Sequence, residues 1–232
     1  MTTIQTALQG VKRRIEKAAV ECGRDPATIT LLAVSKTFGA DAIRAAYACG
    51  QRAFGESYVQ EALVKMAALN DLAIEWHFIG PVQSNKTRLI AERFAWVHSV
   101  DREKIARRLA EQRPAALPPL NVCVQVNVSG EAAKSGVAPE AVAPLAHFIA
   151  TLPRLRLRGL MTIPEATQDV MLLRRRFRLL RELKEGLSRE GLELDTLSMG
   201  MSHDLEAAVC EGATLVRVGS AIFGERRKTA NP

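Results

Sequence analysis

Leu197 to Gly224 reads LSMGMSHDLEAAVCEGATLVRVGSAIFG, and two short runs within it each have the form of a backbone cup for an anion. The first, Ser198 to Asp204, opens a helical run at Leu205; the second, Gly219-Ser220, follows the strand-like Leu215 to Val218. Small residues between a strand end and a helix start leave backbone N–H groups without partners, and the helix dipole adds positive potential there. Such cups are frequent after strands seven and eight of eight-stranded β/α barrels. The stretch therefore predicts a barrel if six strand–helix units precede it.

The chain upstream supplies them. Residues 3–22 carry Ile4, Leu8, Val11, Ile15, Ala18 and Cys22 at helical spacing, and Gly23-Arg-Asp-Pro stops that helix. Thr30 to Val34 reads as a buried strand ending at Ser35-Lys36-Thr37, with a helix from Asp41 to Gly50. Further strands are expected at 52–55, 75–79, 94–98, 121–128, 156–161, 192–197 and 214–218, and further helices at 58–69, 84–92, 102–112, 139–150 and 168–190. In 121–128 the valines alternate, so Val122, Val124, Val126 and Val128 should face helices while Cys123, Gln125 and Asn127 face inward. No GxGxxG follows the first strand, which disfavours an open doubly wound sheet. The expected fold is α/β: a single (β/α)8 TIM-type barrel preceded by an N-terminal helix, one domain over 1–232.

Composition agrees with one globular barrel. The 232 residues are 47% hydrophobic and 25% charged, enough for a sizeable core. No apolar run approaches a membrane span and the N-terminus lacks a signal-peptide core, so a cytoplasmic location is expected. Cys22, Cys49, Cys123 and Cys210 are widely separated without metal-ligand spacing; they are expected as reduced, mostly buried thiols, and no metal site is expected. Much of the +7 net charge sits in Arg174, Arg175, Arg176, Arg178 and Arg181, beside an apolar stripe. A solvated helix face accounts for that run, and nucleic acid is not an expected partner.

Chemistry in a barrel sits at the C-terminal strand ends. Lys36 stands there, behind the apolar Leu-Leu-Ala-Val, where desolvation makes an amine a nucleophile towards carbonyls. With a phosphate cup nearby, this suggests a phosphorylated aldehyde or ketone: a sugar phosphate in a lyase, or pyridoxal 5′-phosphate (PLP). Arg217 alternates with Val216 and Val218 and so points inward, either to meet a pyridine nitrogen or to pair with an inward carboxylate. Ser202 fits a helix cap or a phosphate contact, His203 a surface histidine, and His77 an inward side chain of no assigned job. Residues 77–86, HFIGPVQSNK, lack the Walker order, and Lys134 reads as a loop lysine near the mouth.

These residues fall into a pattern. AVSKT (33–37), GESYVQE (55–61), HFIGPVQSNK (77–86), VNVSGE (126–131) with KSG (134–136), RGLMTIP (158–164), LSMGMSHD (197–204) and VRVGSAIFG (216–224) span nearly the whole chain in order. The chain resembles the pyridoxal phosphate homeostasis proteins, barrel-only relatives of the alanine racemase N-terminal domain. The resemblance implies that Lys36 carries PLP as an imine, that Ser202, Gly219 and Ser220 hold its phosphate, that Arg217 meets the ring nitrogen, and that Ser57 and Met199 line the same site. Two departures from the family pattern stand out: Ser57 stands where asparagine is usual, and Phe38-Gly39 replaces Lys-Pro beside Lys36.

Racemisation on this cofactor needs acid/base groups on both faces of the α-carbon. In the racemases one is the barrel lysine and the other a tyrosine from a second domain across a dimer. Eight residues follow Gly224, so no second domain is expected, and Tyr47 and Tyr58 fall on early helices. The expected role is a monomeric, non-enzymatic carrier that buffers PLP or delivers it to PLP-requiring apo-enzymes, with a weak amino-acid racemase as the alternative.

Overall fold

The computed structural model describes residues 3–131 and 135–225. Its first element, α1 (Ile4–Glu21), is capped by the Thr3 hydroxyl and buries Leu8, Val11, Ile15 and Ala18 along one face. Eight strand–helix units follow among the described residues: β1 (Thr30–Val34) with α2 (Ala40–Ala48), β2 (Ala53–Glu56) with α3 (Val59–Ala68), β3 (Glu75–Phe78) with α4 (Thr87–Arg93), and β4 (Trp96–Val100) with α5 (Glu103–Gln112). Then come β5 (Leu120–Gln125) with α6 (Val142–Ala150), β6 (Leu155–Met161) with α7 (Val170–Arg189), β7 (Thr196–Ser198) with α8 (Leu205–Cys210), and β8 (Leu215–Val218) with α9 (Ser220–Phe223). Every pairing is parallel, and β8 closes on β1 in the register Leu32↔Arg217 and Ala33↔Val218. The expected barrel with its N-terminal helix is the observed fold.

Strand parity divides the interior in two. Leu31, Ala33, Phe54, Val97, Val122, Val124, Val216 and Val218 face the helices and form the main core. Inside the barrel, Leu32, Ala53 and Leu215 pack together on one side and Trp96, Cys123 and Met161 on the other. Burying large apolar side chains on both faces stabilises such a barrel by roughly 1.5–3 kcal/mol for each fully buried side chain.

Several local expectations shift. β5 stops at Gln125 because Asn127 turns the chain: its Oδ1 accepts from the N–H groups of Ser129 and Gly130. β7 is only Thr196–Ser198, since its pairing with β6 begins at Gly159↔Thr196. The cysteines also differ from expectation. Cys22 and Cys210 form a disulfide with Cα atoms 5.3 Å apart, because α1 packs on α8; Cys49 and Cys123 are free thiols. The arginine run is more than a solvated face. Arg174, Arg178 and Arg181 converge on the buried Glu211 carboxylate, and Arg176 pairs with Glu165. Among the described residues no helix is long and apolar enough to cross a membrane.

Candidate functional site

β1 delivers Lys36 to the C-terminal rim, half-buried, and both its neighbours are fixed. Ser35 Oγ donates to Glu56 Oε1 at 2.6 Å, and Lys65 Nζ donates to the Ser35 carbonyl at 2.8 Å. Lys65 also reaches Glu56 Oε1 at 2.8 Å and Glu61 Oε1 at 2.5 Å. Glu61 Oε1 in turn accepts from the Thr37 N–H at 2.6 Å, and Thr37 sits at φ 70°, a left-handed conformation that this clamp holds. Burial raises the Glu56 pKa above the ordinary carboxylate range, with Lys65 and Ser35 opposing. Glu56 stands at the end of β2 but points outward, beneath the Lys36 loop.

On the neighbouring strand, β8 ends at Val218 and Gly219 follows. A Cβ there would stand 3.1 Å from the Val34 carbonyl, so glycine lets the two strand ends approach. Ser220 begins α9, and its Oγ donates to Ser202 Oγ at 3.2 Å, joining the two loops read as phosphate cups. Arg14 from α1 supports the first of these: it donates to the Ser202 carbonyl and grips Glu206 through two nitrogens. Gly200 adopts φ 92°, and a Cβ would run into Ala208. Ser57 is half-buried after β2, its carbonyl against Gly80, where any side chain would collide with it.

Met199 lies one residue past inward-facing Ser198, so its side chain is fully buried in the outer core, and its N–H donates to the Leu215 carbonyl. Side chain and N–H are therefore both engaged away from the mouth. His203 is exposed, and Lys134 lies outside the described residues.

Arg217 points into the barrel, buried, and its direct partners are neutral. Nη1 donates to the Ser198 carbonyl at 2.6 Å and Ser198 Oγ at 2.7 Å; Nη2 donates to the Thr162 carbonyl at 2.8 Å. Burial pushes its pKa down to about 10, with the Asp204 charge opposing at longer range. Sequence reading missed what lies behind it. Ser198 Oγ is 2.8 Å from His98 Nδ1, His98 Nε2 is 2.9 Å from His77 Nδ1, and His77 Nε2 is 2.8 Å from Glu75 Oε1. His77 also stacks on Trp96. The inward parity of these residues is legible in the strands; their contact across the lumen is not.

Burial lowers the pKa of His77, against the pull of Glu75, and holds His98 well below the ordinary value, aided by repulsion from His77 and Arg217. Both folded pKa values thus lie below the unfolded value of about 6.5, so the unfolded chain binds more protons in that window. Their contribution to stability is complete above about pH 6.5 and falls as the pH drops, by up to about 1.4 kcal/mol per pH unit for each histidine. Urea denaturation from pH 7.5 to 5.5 should show this loss, and His98→Gln should flatten it; a profile unchanged by that substitution would count against a neutral buried His98.

The alanine racemase N-terminal domain family matches residues 8–227. The pyridoxal phosphate homeostasis protein of Pseudomonas aeruginosa is 63% identical over 97% of both chains. The chain belongs to the pyridoxal phosphate homeostasis protein family. Its relative of that name in Escherichia coli K12 is 51% identical over 97% of this chain and 98% of its own. Among solved structures, PipY of Synechococcus elongatus PCC7942, with PLP bound, superposes with a TM-score of 0.80 at 38% identity, covering 91% of this family member and all of PipY. Alanine racemase of Corynebacterium glutamicum, at 17% identity and a TM-score of 0.69 over 98% of this chain and 63% of its own, shares the fold.

Proposed function

We propose that this chain binds pyridoxal 5′-phosphate at the barrel mouth, holds it as an imine on Lys36 Nζ, and buffers it or delivers it to apo-enzymes without robust turnover. The observation that carries the reading is the β1–β8 closure, which sets the Lys36 loop beside Gly219 and Ser220, above inward Arg217. The residues fit the group. Two hydroxyls 3.2 Å apart and a glycine kept small by a neighbouring carbonyl suit a phosphate. A lysine suits an aldehyde, losing water as the C=N bond forms. A buried guanidinium with neutral direct partners keeps N–H groups for an unprotonated ring nitrogen. Bound there, the cofactor supplies a reactive aldehyde and an electron sink.

The relative solved with PLP and the shared family name support this reading. So does the placing of the tyrosines: Tyr47 lies beneath the Arg52 guanidinium and Tyr58 is exposed at the start of α3, so neither resembles a second base. The carrier is taken as a cytoplasmic monomer. Addition of PLP to the purified chain should produce a yellow protein whose colour borohydride fixes to one lysine peptide. A protein that stays colourless with excess PLP would overturn the reading, and steady conversion of L- to D-alanine would replace the carrier with a racemase.

A further inference from the structure

The chain of contacts from Arg217 to Glu75 has a direction that its carboxylate end imposes. A guanidinium only donates and an ionised carboxylate only accepts. Glu75 is held ionised by the hydrogen bond from His77, so His77 Nε2 carries a hydrogen and its Nδ1 is bare. His98 Nε2 must then donate to His77 Nδ1, which leaves His98 Nδ1 bare to accept from the Ser198 hydroxyl. Ser198 Oγ in turn accepts from Arg217, as it must, since that nitrogen cannot accept. The carboxylate end alone fixes this order, because a serine hydroxyl that accepts from Arg217 still has a second lone pair. Every donor points from the cation towards the carboxylate.

The path also crosses the barrel, from β8 and β7 through β4 to β3. Ser198, His98 and His77 are buried, while the Glu75 side chain is about half exposed at the opposite end and lines a hollow of about 570 Å³ there with Lys12, Arg52 and Gln51. Arg217 has no carboxylate among its hydrogen-bond partners; the line of aligned dipoles ends on one that is partly hydrated. Aligned hydrogen bonds in a low-dielectric interior strengthen one another.

We infer that Ser198, His98, His77 and Glu75 are positioning residues for the cofactor's ring nitrogen: they act through Arg217, with Glu75 setting the tautomers of the relay and Ser198 fixing the plane of the guanidinium. The inference rests on the proposed contact between Arg217 and the ring. It assigns a function to three side chains outside the phosphate loops, Glu75, His77 and His98, and to Ser198 at the start of one of them.

The test has an arm that needs no cofactor. Two-bond ¹⁵N–¹H spectra of the histidine-labelled full chain distinguish the tautomers, and His147→Gln and His203→Gln remove the two exposed histidines for assignment. His77 and His98 should both be neutral with the hydrogen on Nε2. Glu75→Leu, at the far end, should redistribute the tautomers of both, and Ser198→Ala those of His98. In the second arm PLP is titrated against each variant. Ser198→Ala should weaken retention about tenfold, the scale of one hydrogen bond to a charged group, Ser198→Thr should restore it, and Glu75→Leu should weaken it from a distance. A hydrogen on Nδ1 of either histidine overturns the inference whether or not the variants fold. Parental retention by Ser198→Ala and Glu75→Leu, with retention lost in Arg217→Ala, overturns it while the ring contact stands. Undiminished retention in Arg217→Ala refutes the ring contact itself, and the inference falls with it.

Discussion

Lys36→Ala abolishes borohydride-trapped attachment of PLP, from one label per chain to none, while the fold survives: this is the largest functional effect expected of any single substitution. The amine is the group that would form the C=N bond, and alanine offers no nucleophile. The fold should tolerate the change because the residues on either side are anchored independently, Ser35 by Glu56 and Lys65, and Thr37 by Glu61. The proposed phosphate contacts at Ser202 and Ser220 and the proposed ring contact at Arg217 do not involve Lys36, so the variant should still bind PLP, weakly and without covalent linkage. Mass spectrometry of the reduced protein, circular dichroism and thermal denaturation check the three parts. A full label persisting in Lys36→Ala would move the nucleophile to another lysine, with Lys134 the first to map.

The largest effect on stability is expected at Lys65. Its ammonium is buried and bonds Glu56, Glu61 and the Ser35 carbonyl, while Glu56 is completely inaccessible and its Oε2 has no partner. Lys65→Met keeps the volume and removes the charge, leaving a buried carboxylate supported by Ser35 alone. Breaking a buried pair in this way costs about 3–5 kcal/mol. The pH dependence has a definite sign. The folded Glu56 pKa is already raised, and losing Lys65 raises it further, so the folded state binds more protons than the unfolded one above the usual carboxylate range. The penalty should therefore be greatest at neutral and alkaline pH and shrink on acidification as Glu56 becomes neutral. Lys65→Met with Glu56→Gln should recover most of the loss, because no charge is then stranded. Urea denaturation at pH 8 and pH 5 decides the point; a loss under about 1 kcal/mol at pH 8, the scale of an exposed pair, would mean that the triad is not what holds the Lys36 loop. PLP attachment should also slow in Lys65→Met, since Ser35 loses one of its two anchors.

The barrel, its N-terminal helix and the rank of Lys36 at a strand end were legible in the sequence because they depend on local patterns. Apolar runs such as Leu31 to Val34, punctuated by glycine, proline and helix-forming stretches, need no knowledge of distant residues. Parity alone also turned Arg217 inward, since side chains alternate along any strand. Tertiary structure decided the rest. Glu75, His77, His98 and Ser198 were each readable as inward, but strand register and barrel closure, set by the packing of the whole chain, made them neighbours. The same is true of Glu56, which packing against α3 sets outward beneath the Lys36 loop; of Met199, turned into the outer core one residue after Ser198; and of Cys22 and Cys210, brought together by helices from opposite ends of the chain. Local periodicity is fixed within a few residues, so the sequence by itself determined the elements, their order and which residues stand at the strand ends. Which side chains meet across the lumen is a property of closure, and only the folded barrel contains it.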